Sequence, residues 1–562
     1  MQAYRPPRNA PHRTLTLAHP ALGSIEGILL PGDKVVQFHA IPYATVPARF
    51  QHSILLPSLH GAGSSFTHPG YACPHTFTMD DVHSGGLYPS EPEIESDELK
   101  CLTVTLSVPL TLLLSSHGDG TEQERRKVPV MVYIHGGAFH VGKVDAVHDT
   151  GPLVAQSIDD EQPVVVASLQ YRLGAFGFLA TPDGVCNLGL HDQRTGLQWI
   201  QRFVGGFGGD EGRVTLFGES AGGYSICYHM LSPPSPAPLF SRAAIMSGVV
   251  GPLMVPVAKE EADTAFHELC EILEIKERGH EALTVLSAVP AQQLVKAGDI
   301  WVDRGNFWRP VVDPSFFAHD HITWDTVPAL LSACPWVSAL LVGNTACEGI
   351  PYLSVARSLT PLTFRDHMRG GLSHESTARV LETYGITPAT DPNLFVHAAT
   401  RWLGDVIFDA PIHALCNHLA VHADKKVYRY LFDIGNPFIG APHYKVPHHW
   451  VDVYFLFRTL QFRYPSAKLK RLSDQHSKMW VAFANGEAPW AEYRGGDDGS
   501  GGAVVMVADE VDGWTEQRLN DDKRGVERNW TRLVRLWDAW GEKSGENWLP
   551  LRLAEVVGQQ TS

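Results

Sequence analysis

Six short apolar runs, most of them rich in Val or Ile, constrain this chain more than any other feature. They cover residues 128–134, 163–169, 214–217, 243–246, 338–342 and 427–432. Strands that are buried on both faces of a parallel sheet form continuous apolar runs of this kind, and helical patterns lie between them. The sequence therefore predicts an α/β fold, with a central, mostly parallel, twisted sheet flanked by helices.

The length of 562 residues would ordinarily suggest several domains, but α/β enzymes often exceed that prior within one unit. No polar, Gly-rich or Pro-rich stretch is long enough to be a domain linker. Residues 255–330 indicate helices inserted between two strands. We therefore expect one domain over residues 1–562, with a core from about 20 to 550 and a flexible N-terminal arm over 1–19.

Charge and composition exclude several other classes of protein. A formal charge of −16 without a basic cluster disfavours nucleic acid as a partner. Eight cysteines without a CxxC pair give no support for structural zinc, so we expect neither a metal nor a cofactor. No apolar window is long enough for a membrane span, and no secretory signal is readable. We expect a cytoplasmic protein, or a secreted one if the true N-terminus lies upstream.

Two glycine-rich turns follow apolar runs and suggest nucleophilic catalysis. Residues 218–222 read GESAG, between a predicted strand and a predicted helix, which is the context that exposes a nucleophilic serine at a sharp turn. Residues 135–139 read HGGAF, and adjacent glycines can aim backbone N–H groups at one oxyanion. Ordinary tight turns are the alternative interpretation of both, but their order along the chain favours an oxyanion loop followed by a nucleophile turn.

The block from Tyr171 to Gly223 resembles the type-B carboxylesterase and lipase family, the cholinesterase-like branch of the α/β-hydrolases. Shorter matches, such as GNTACEG at 343–349 and HHWVDVYFLF at 448–457, extend the resemblance over about residues 20 to 550. The resemblance implies the α/β-hydrolase fold with helical insertions. It also implies hydrolysis of carboxylic esters through an acyl-enzyme, using a Ser-His-Glu triad and a backbone oxyanion hole.

By this resemblance Ser220 is the nucleophile, and Gly137, Ala138 and Ala221 supply the N–H groups of the oxyanion hole. The family often has glycine where this chain has Ala138. Because the donor is the backbone amide, alanine can still serve there, although its methyl group would narrow the adjoining pocket.

The triad acid follows the nucleophile along the chain and precedes the histidine. Glu348, which lies after the run at 338–342, is the preferred acid, and Asp313 is the alternative. Asp192 precedes the nucleophile, and the resemblance implies that it pairs with Arg172 instead.

Two adjacent histidines compete for the role of base. The family places its catalytic histidine three residues before an acidic position, which selects His449 because Asp452 follows it. His448 is then expected to be a neighbouring surface or lining residue, and His443 lies further from the selected position.

Cys73 and Cys101 occupy a region that the family closes with a disulfide. The register around the second cysteine is altered, and cytosolic thiols stay reduced, so a disulfide and two free thiols both remain open. No Trp lies between the two cysteines, although Phe77 and Tyr88 do, and choline esters are therefore disfavoured as substrates.

The leading hypothesis is a serine hydrolase that acts on small-molecule carboxylic esters. One alternative is a hydrolase or acyltransferase acting on an ester or lactone of a specialised metabolite. A non-catalytic relative is disfavoured, because Ser220, Glu348 and His449 are all present. The sequence predicts no particular oligomeric state.

Overall fold

A computed structural model describes residues 13–61, 63–76, 83–86, 94–114, 127–234, 237–422, 424–494, 503–519 and 530–545. The strands within these ranges are Arg13–His19 (β1), Gly23–Leu29 (β2), Val35–Pro42 (β3), Ala44–Thr45 (β4), Ile54–Leu55 (β5), Thr103–Pro109 (β6), Val128–Ile134 (β7), Val165–Leu169 (β8), Gly209–Glu219 (β9), Arg242–Met246 (β10), Ala339–Thr345 (β11), Lys426–Asp433 (β12), Val504–Asp509 (β13) and Gly513–Arg518 (β14).

The α-helices within the same ranges are Leu110–Leu114 (α1), Gly151–Asp159 (α2), Gly174–Phe178 (α3), Leu188–Phe203 (α4), Ala221–Met230 (α5), Lys259–Ile272 (α6), Gly279–Ala288 (α7), Ala291–Asp303 (α8), Val327–Ser332 (α9), Leu353–Ser358 (α10), Pro361–Gly371 (α11), His374–Thr383 (α12), Pro392–Gly404 (α13), Ala410–His422 (α14), Val451–Phe457 (α15), Ala467–Asn485 (α16) and Trp530–Trp540 (α17). A π-helical turn, Asp405–Asp409, joins α13 to α14.

One sheet contains twelve of the described strands, in the order β1-β2-β3-β6-β8-β7-β9-β10-β11-β12-β13-β14. The seven neighbours from β8 to β13 pair in parallel, whereas the strands at both ends of the sheet pair antiparallel. The predicted central, mostly parallel sheet is confirmed. Every residue of β7, β8 and β11 is buried, which explains why these strands appear as uninterrupted apolar runs.

The six predicted runs correspond in chain order to β7 through β12. The prediction missed β13, which pairs in parallel with β12, because its apolar run follows a Gly-rich stretch rather than a helical pattern. The predicted helical insertion is also confirmed, since α6 to α9 lie between β10 and β11. A second helical group, α10 to α14, lies between β11 and β12 and was not predicted.

The predicted N-terminal arm over residues 1–19 is wrong for its second part. Residues 13–19 form β1, which pairs antiparallel with the whole of β2. Leu15 and Leu17 alternate with more exposed residues, so β1 turns one apolar face to the core and extends the sheet at its edge. Residues 1–12 lie outside the described ranges.

The sheet brings four loops together at one edge. Ile134 at the end of β7 pairs with Gly218 near the end of β9, and Met246 at the end of β10 pairs with Glu219 on one side and Gly343 on the other. Thr345 at the end of β11 pairs with Phe432 near the end of β12. Since parallel strands all end at the same edge, the loops that follow β7, β9, β11 and β12 converge there.

Candidate active site

Ser220 lies in a sharp turn between β9 and α5. Its backbone has φ 55° and ψ −120°, and its N–H donates a hydrogen bond of 2.9 Å to the carbonyl of Met246. A Cβ atom on Gly218 or Gly222 would lie 2.7 Å or 2.0 Å from the carbonyl oxygen of Ile134. Only glycine fits on either side of this serine, as the sequence pattern predicted.

The turn places Ser220 directly before a helix. Ala221 is the first residue of α5, so its N–H has no acceptor within the helix and remains available. The helix N-terminus also adds a partial positive charge beside the serine. The predicted oxyanion donor Ala221 therefore lies where a negative charge on a reacting oxygen would be stabilised.

Residues 135–142, which we call the glycine loop, form a strained turn after β7. Gly137 has φ 106°, and a Cβ atom there would lie 2.1 Å from the carbonyl oxygen of Val141. Ala138 and Phe139 also adopt positive φ values of 54° and 57°, at a cost of about 1–3 kcal/mol each. A Cβ on Gly136 would meet the carbonyl oxygen of Glu219 at 2.6 Å, so this loop packs tightly against the Ser220 turn.

Glu348 and His449 meet as predicted. Nδ1 of His449 lies 2.5 Å from Oε2 of Glu348. Oε1 of the same carboxylate accepts hydrogen bonds of 2.6 Å from the Ser247 hydroxyl and of 2.6 Å from the N–H of Thr345. These two donors orient the Glu348 carboxylate, which in turn fixes the imidazole.

The alternative acid, Asp313, does not reach this histidine. It accepts hydrogen bonds from the backbone and hydroxyl of Ser315. The predicted pair of Arg172 and Asp192 is confirmed: Nε and Nη2 of the arginine lie 2.7 Å and 2.8 Å from the two carboxylate oxygens, and both side chains are buried.

His448 is buried, so of the two expected places for it, at the surface or lining the site, the surface position is wrong. Only 3% of its surface is exposed. Its Nδ1 lies 2.6 Å from the carbonyl of His449, and its Nε2 accepts a hydrogen bond of 3.1 Å from Asn436. Both ring nitrogens are occupied, so His448 supports the backbone of the neighbouring histidine.

Glu219, the residue before the serine, was missed by sequence reasoning. Its Oε1 lies 3.0 Å from Nε2 of His449, at an ion-pair distance, although neither oxygen accepts a hydrogen bond from the described residues. Within the same described part of the chain, no hydrogen bond joins the Ser220 hydroxyl to His449. The imidazole therefore lies between two carboxylates, those of Glu219 and Glu348.

Burial and charge shift the pKa values of this cluster. Burial favours neutral His449, but the carboxylates of Glu219 and Glu348 outweigh it and raise the pKa of His449 well above the ordinary value. Burial raises the pKa of Glu219 to about 8, against the opposing effect of His449. Burial also raises the pKa of Asp452 to about 7, although a hydrogen bond from Tyr430 opposes this. The site can thus hold and exchange protons near neutral pH.

Aromatic rings pack beside the histidine. The ring of Phe408, in the π-helical turn, has its centroid 4.5 Å from that of His449. Tyr224 and Tyr352 lie against Phe408 with centroid distances of 6.4 Å and 6.3 Å. These contacts depend on the second helical group, so the sequence pattern alone could not reveal them. They give the site an apolar wall that strengthens its electrostatic interactions.

Cys73 and Cys101 are free thiols, so the disulfide is not formed in this structure. Both are buried, and a hydrogen bond to Cys73, together with burial, raises the pKa of Cys101 well above its usual value. The Cys73 sulfur also accepts a hydrogen bond from the N–H of Leu173. Phe77 and Tyr88 lie outside the described residues.

The described ranges contain neither a cluster of metal-ligating side chains nor a membrane-spanning helix. No group of three or more His, Cys, Asp or Glu side chains there could hold a metal ion. None of the helices in these ranges has the length and apolar character needed to cross a membrane.

The chain is similar in sequence and in structure to known lipases and esterases. The chain is 28% identical to lipase 3 of Yarrowia lipolytica over 505 residues, covering 87% of this chain and 92% of the lipase. It is 30% identical to para-nitrobenzyl esterase of Bacillus subtilis over 388 residues, covering 65% of this chain and 72% of the esterase. A solved PNB esterase structure superposes with a TM-score of 0.69 at 24% identity, covering 92% of this chain and 99% of that one.

The structural similarity confirms the predicted α/β-hydrolase fold. Residues 13–499, nearly the whole chain, match the sequence pattern of the carboxylesterase family. The resemblance to this family, which was inferred mainly from residues 171–223, is therefore confirmed. The chain belongs to the carboxylesterase family and is a carboxylic ester hydrolase.

Proposed function

We propose that this chain hydrolyses small-molecule carboxylic esters through an acyl-enzyme on Ser220, with His449 as base and Glu348 as its partner. The observation that carries the proposal is the hydrogen bond of 2.5 Å between His449 and Glu348, at the sheet edge where Ser220 begins α5. The carboxylate holds the imidazole so that Nε2, the nitrogen that must take a proton, faces the serine turn.

The reaction follows from these roles. His449 takes the Ser220 proton while Oγ attacks the ester carbonyl carbon, and the N–H groups of Gly137, Ala138 and Ala221 stabilise the resulting oxyanion. The imidazolium then gives its proton to the departing alkoxide, which leaves as the alcohol. Water, deprotonated by the same histidine, attacks the acyl-enzyme and releases the carboxylic acid.

Before the first step, Nε2 of His449 must lose the proton that it holds beside Glu219, because only an unprotonated Nε2 can accept the Ser220 proton. Burial raises the pKa of Glu219 to about 8, so its carboxylate, when ionised, is basic enough to take this proton. We infer that Glu219 takes up this proton, which leaves the Nε2 lone pair of the neutral imidazole free to accept the Ser220 proton. Catalytic hydrogen bonds are often absent without substrate and form only in its presence, so the present distances fit this sequence of events.

Small esters are the substrate class that we propose. Two relatives whose matches cover most of this chain are named para-nitrobenzyl esterase and lipase 3. The aromatic wall of Tyr224, Tyr352 and Phe408 suits an apolar acyl or alcohol group.

The test is Ser220→Ala, assayed with p-nitrophenyl butyrate and by covalent labelling with a fluorophosphonate. We expect turnover to fall at least 1,000-fold and labelling to disappear, because the nucleophile is lost. Ser225→Ala, on the same helix, is the matched control and should label normally. Full activity of Ser220→Ala would refute the assignment. A panel with lactones and an acceptor alcohol distinguishes ester hydrolysis from the lactone or acyl-transfer alternative.

A further inference from the structure

The carboxylate of Asp299, in α8, joins three separate parts of the chain. Its Oδ1 lies 2.8 Å from Nε2 of His140, which belongs to the glycine loop. The hydroxyl of Thr76, three residues after Cys73, lies 2.9 Å and 2.8 Å from its two oxygens. Trp308 donates a hydrogen bond of 3.2 Å to Nδ1 of His140. We call Thr76, His140, Asp299 and Trp308 the Asp299 clamp.

These partners fix the protonation of His140. Because Trp308 is a donor only, Nδ1 must be the accepting nitrogen, and the proton therefore lies on Nε2, facing Asp299. Burial lowers the pKa of His140 despite the neighbouring carboxylate, so the neutral form that this pattern requires is favoured. The imidazole is held on both sides and cannot turn without losing a hydrogen bond.

The clamp acts on a strained part of the backbone. His140 directly follows Ala138 and Phe139, the two non-glycine residues of the glycine loop with positive φ. Its own N–H donates a hydrogen bond of 2.9 Å to the carbonyl of Gly137. A strained conformation persists only where its surroundings hold it, and the His140 side chain is one anchor. Phe139, packed on Phe178 at a centroid distance of 4.5 Å, is another.

We propose that Asp299 is a positioning residue for the oxyanion hole: through His140 it holds the N–H groups of Gly137 and Ala138 in place. This inference rests on the proposed function of Ser220. The clamp residues come from three separate parts of the chain, and Asp299 lies on a helix of the insertion between β10 and β11. Through Thr76, the same carboxylate also ties the segment after Cys73 to the glycine loop.

The experiment compares Asp299→Ala with Asp303→Ala, which removes the same charge from an exposed position on the same helix. Active sites are first titrated with a fluorophosphonate, and kcat and KM for p-nitrophenyl butyrate are then measured per titrated site. We expect kcat per site to fall about 10- to 100-fold in Asp299→Ala, with KM within threefold, because oxyanion contacts are made in the transition state. Asp303→Ala should match the wild type.

Affinity for an alkyl trifluoromethyl ketone, which forms an oxyanion on the serine, should fall in proportion to kcat. Asp299→Asn keeps an acceptor for His140 and should restore most of the activity. Thr76→Val, an exposed and nearly isosteric change, should lower kcat per site in the same direction, even if Asp299→Ala folds poorly. A purely structural role would reduce the number of titratable sites and leave kcat per site unchanged.

Equal kcat per titrated site in Asp299→Ala and Asp303→Ala would overturn the proposed positioning role of Asp299. It would leave the proposed function of Ser220 intact. Failure of the wild type to be labelled, or full activity of Ser220→Ala, would instead overturn the proposed function.

Discussion

Replacing Glu219 by glutamine tests whether this carboxylate holds a proton on His449. At an effective dielectric constant of about 20, two unit charges at the observed 3.0 Å attract by roughly 5 kcal/mol. The pKa of about 8 for Glu219 means that it is only partly ionised near neutral pH, so only part of this attraction applies. Even a quarter of it, about 1.4 kcal/mol, corresponds to a tenfold change in the fraction of neutral imidazole.

The direction in which the pH profile should move follows from the role of His449 as a base. Glu219 and Glu348 raise the pKa of His449, so the neutral base forms only at higher pH, and activity rises with pH. Without the Glu219 charge, the base forms at lower pH. We therefore expect the acid limb of the kcat/KM profile to move to lower pH in Glu219→Gln, with about tenfold more neutral imidazole on that limb.

The assay is kcat/KM for p-nitrophenyl butyrate from pH 5 to 9, per fluorophosphonate-titrated site. Glu281→Gln, an exposed change of the same kind on α7, is the control and should leave the profile unchanged. The variant should also lack the ionisation near pH 8 that Glu219 contributes to the wild type. A profile of Glu219→Gln that superposes on the wild type would refute the idea that Glu219 exchanges a proton with His449.

Two further substitutions test the framework around the site. Arg172→Met should lower the free energy of unfolding by about 3–5 kcal/mol in urea titrations, because it leaves the buried Asp192 carboxylate without its partner; a loss below 1 kcal/mol would contradict this. Ala138→Gly should raise the free energy of unfolding by up to about 1 kcal/mol, because glycine relieves the strain at φ 54°. Its N–H remains, so kcat should stay within threefold of the wild type, and a larger loss would indicate that the methyl group shapes the site.

The central sheet could be predicted because its strands are buried on both faces. Burial of this kind leaves continuous apolar runs, and each of the six runs became one of the strands β7 to β12. The edge strand β1 was missed because its alternating pattern is short and follows a proline-rich start. The assignment of Ser220, Glu348 and His449 rests on the family resemblance, together with the order in which such residues follow the parallel strands along the chain.

Side-chain partners within the site could not be predicted in the same way. Glu219 precedes Ser220, but whether its carboxylate points toward the histidine or into the core depends on the backbone of the turn. The contact between Asp299 and His140 joins residues 159 positions apart, and Phe408 reaches His449 from a π-helical turn. Periodicity reports which face of an element is apolar, and it carries no information about which distant polar groups meet.

The loops that hold the site share one further feature, a strained backbone. Ala138, Phe139, Ser220, Ser247 and Trp450 all adopt positive φ, and each lies in a loop at the sheet edge that holds the site. Each of these residues costs about 1–3 kcal/mol, so the strain of all five together is comparable with the whole free energy of unfolding of a typical domain. It must therefore be offset by the rigid parallel sheet and by buried anchors around the loops. The Asp299 clamp and the two hydrogen bonds to Glu348 from outside the triad are anchors of this kind. If they hold strained loops rather than merely fill space, weakening them should reduce kcat per active site before it reduces the amount of folded enzyme.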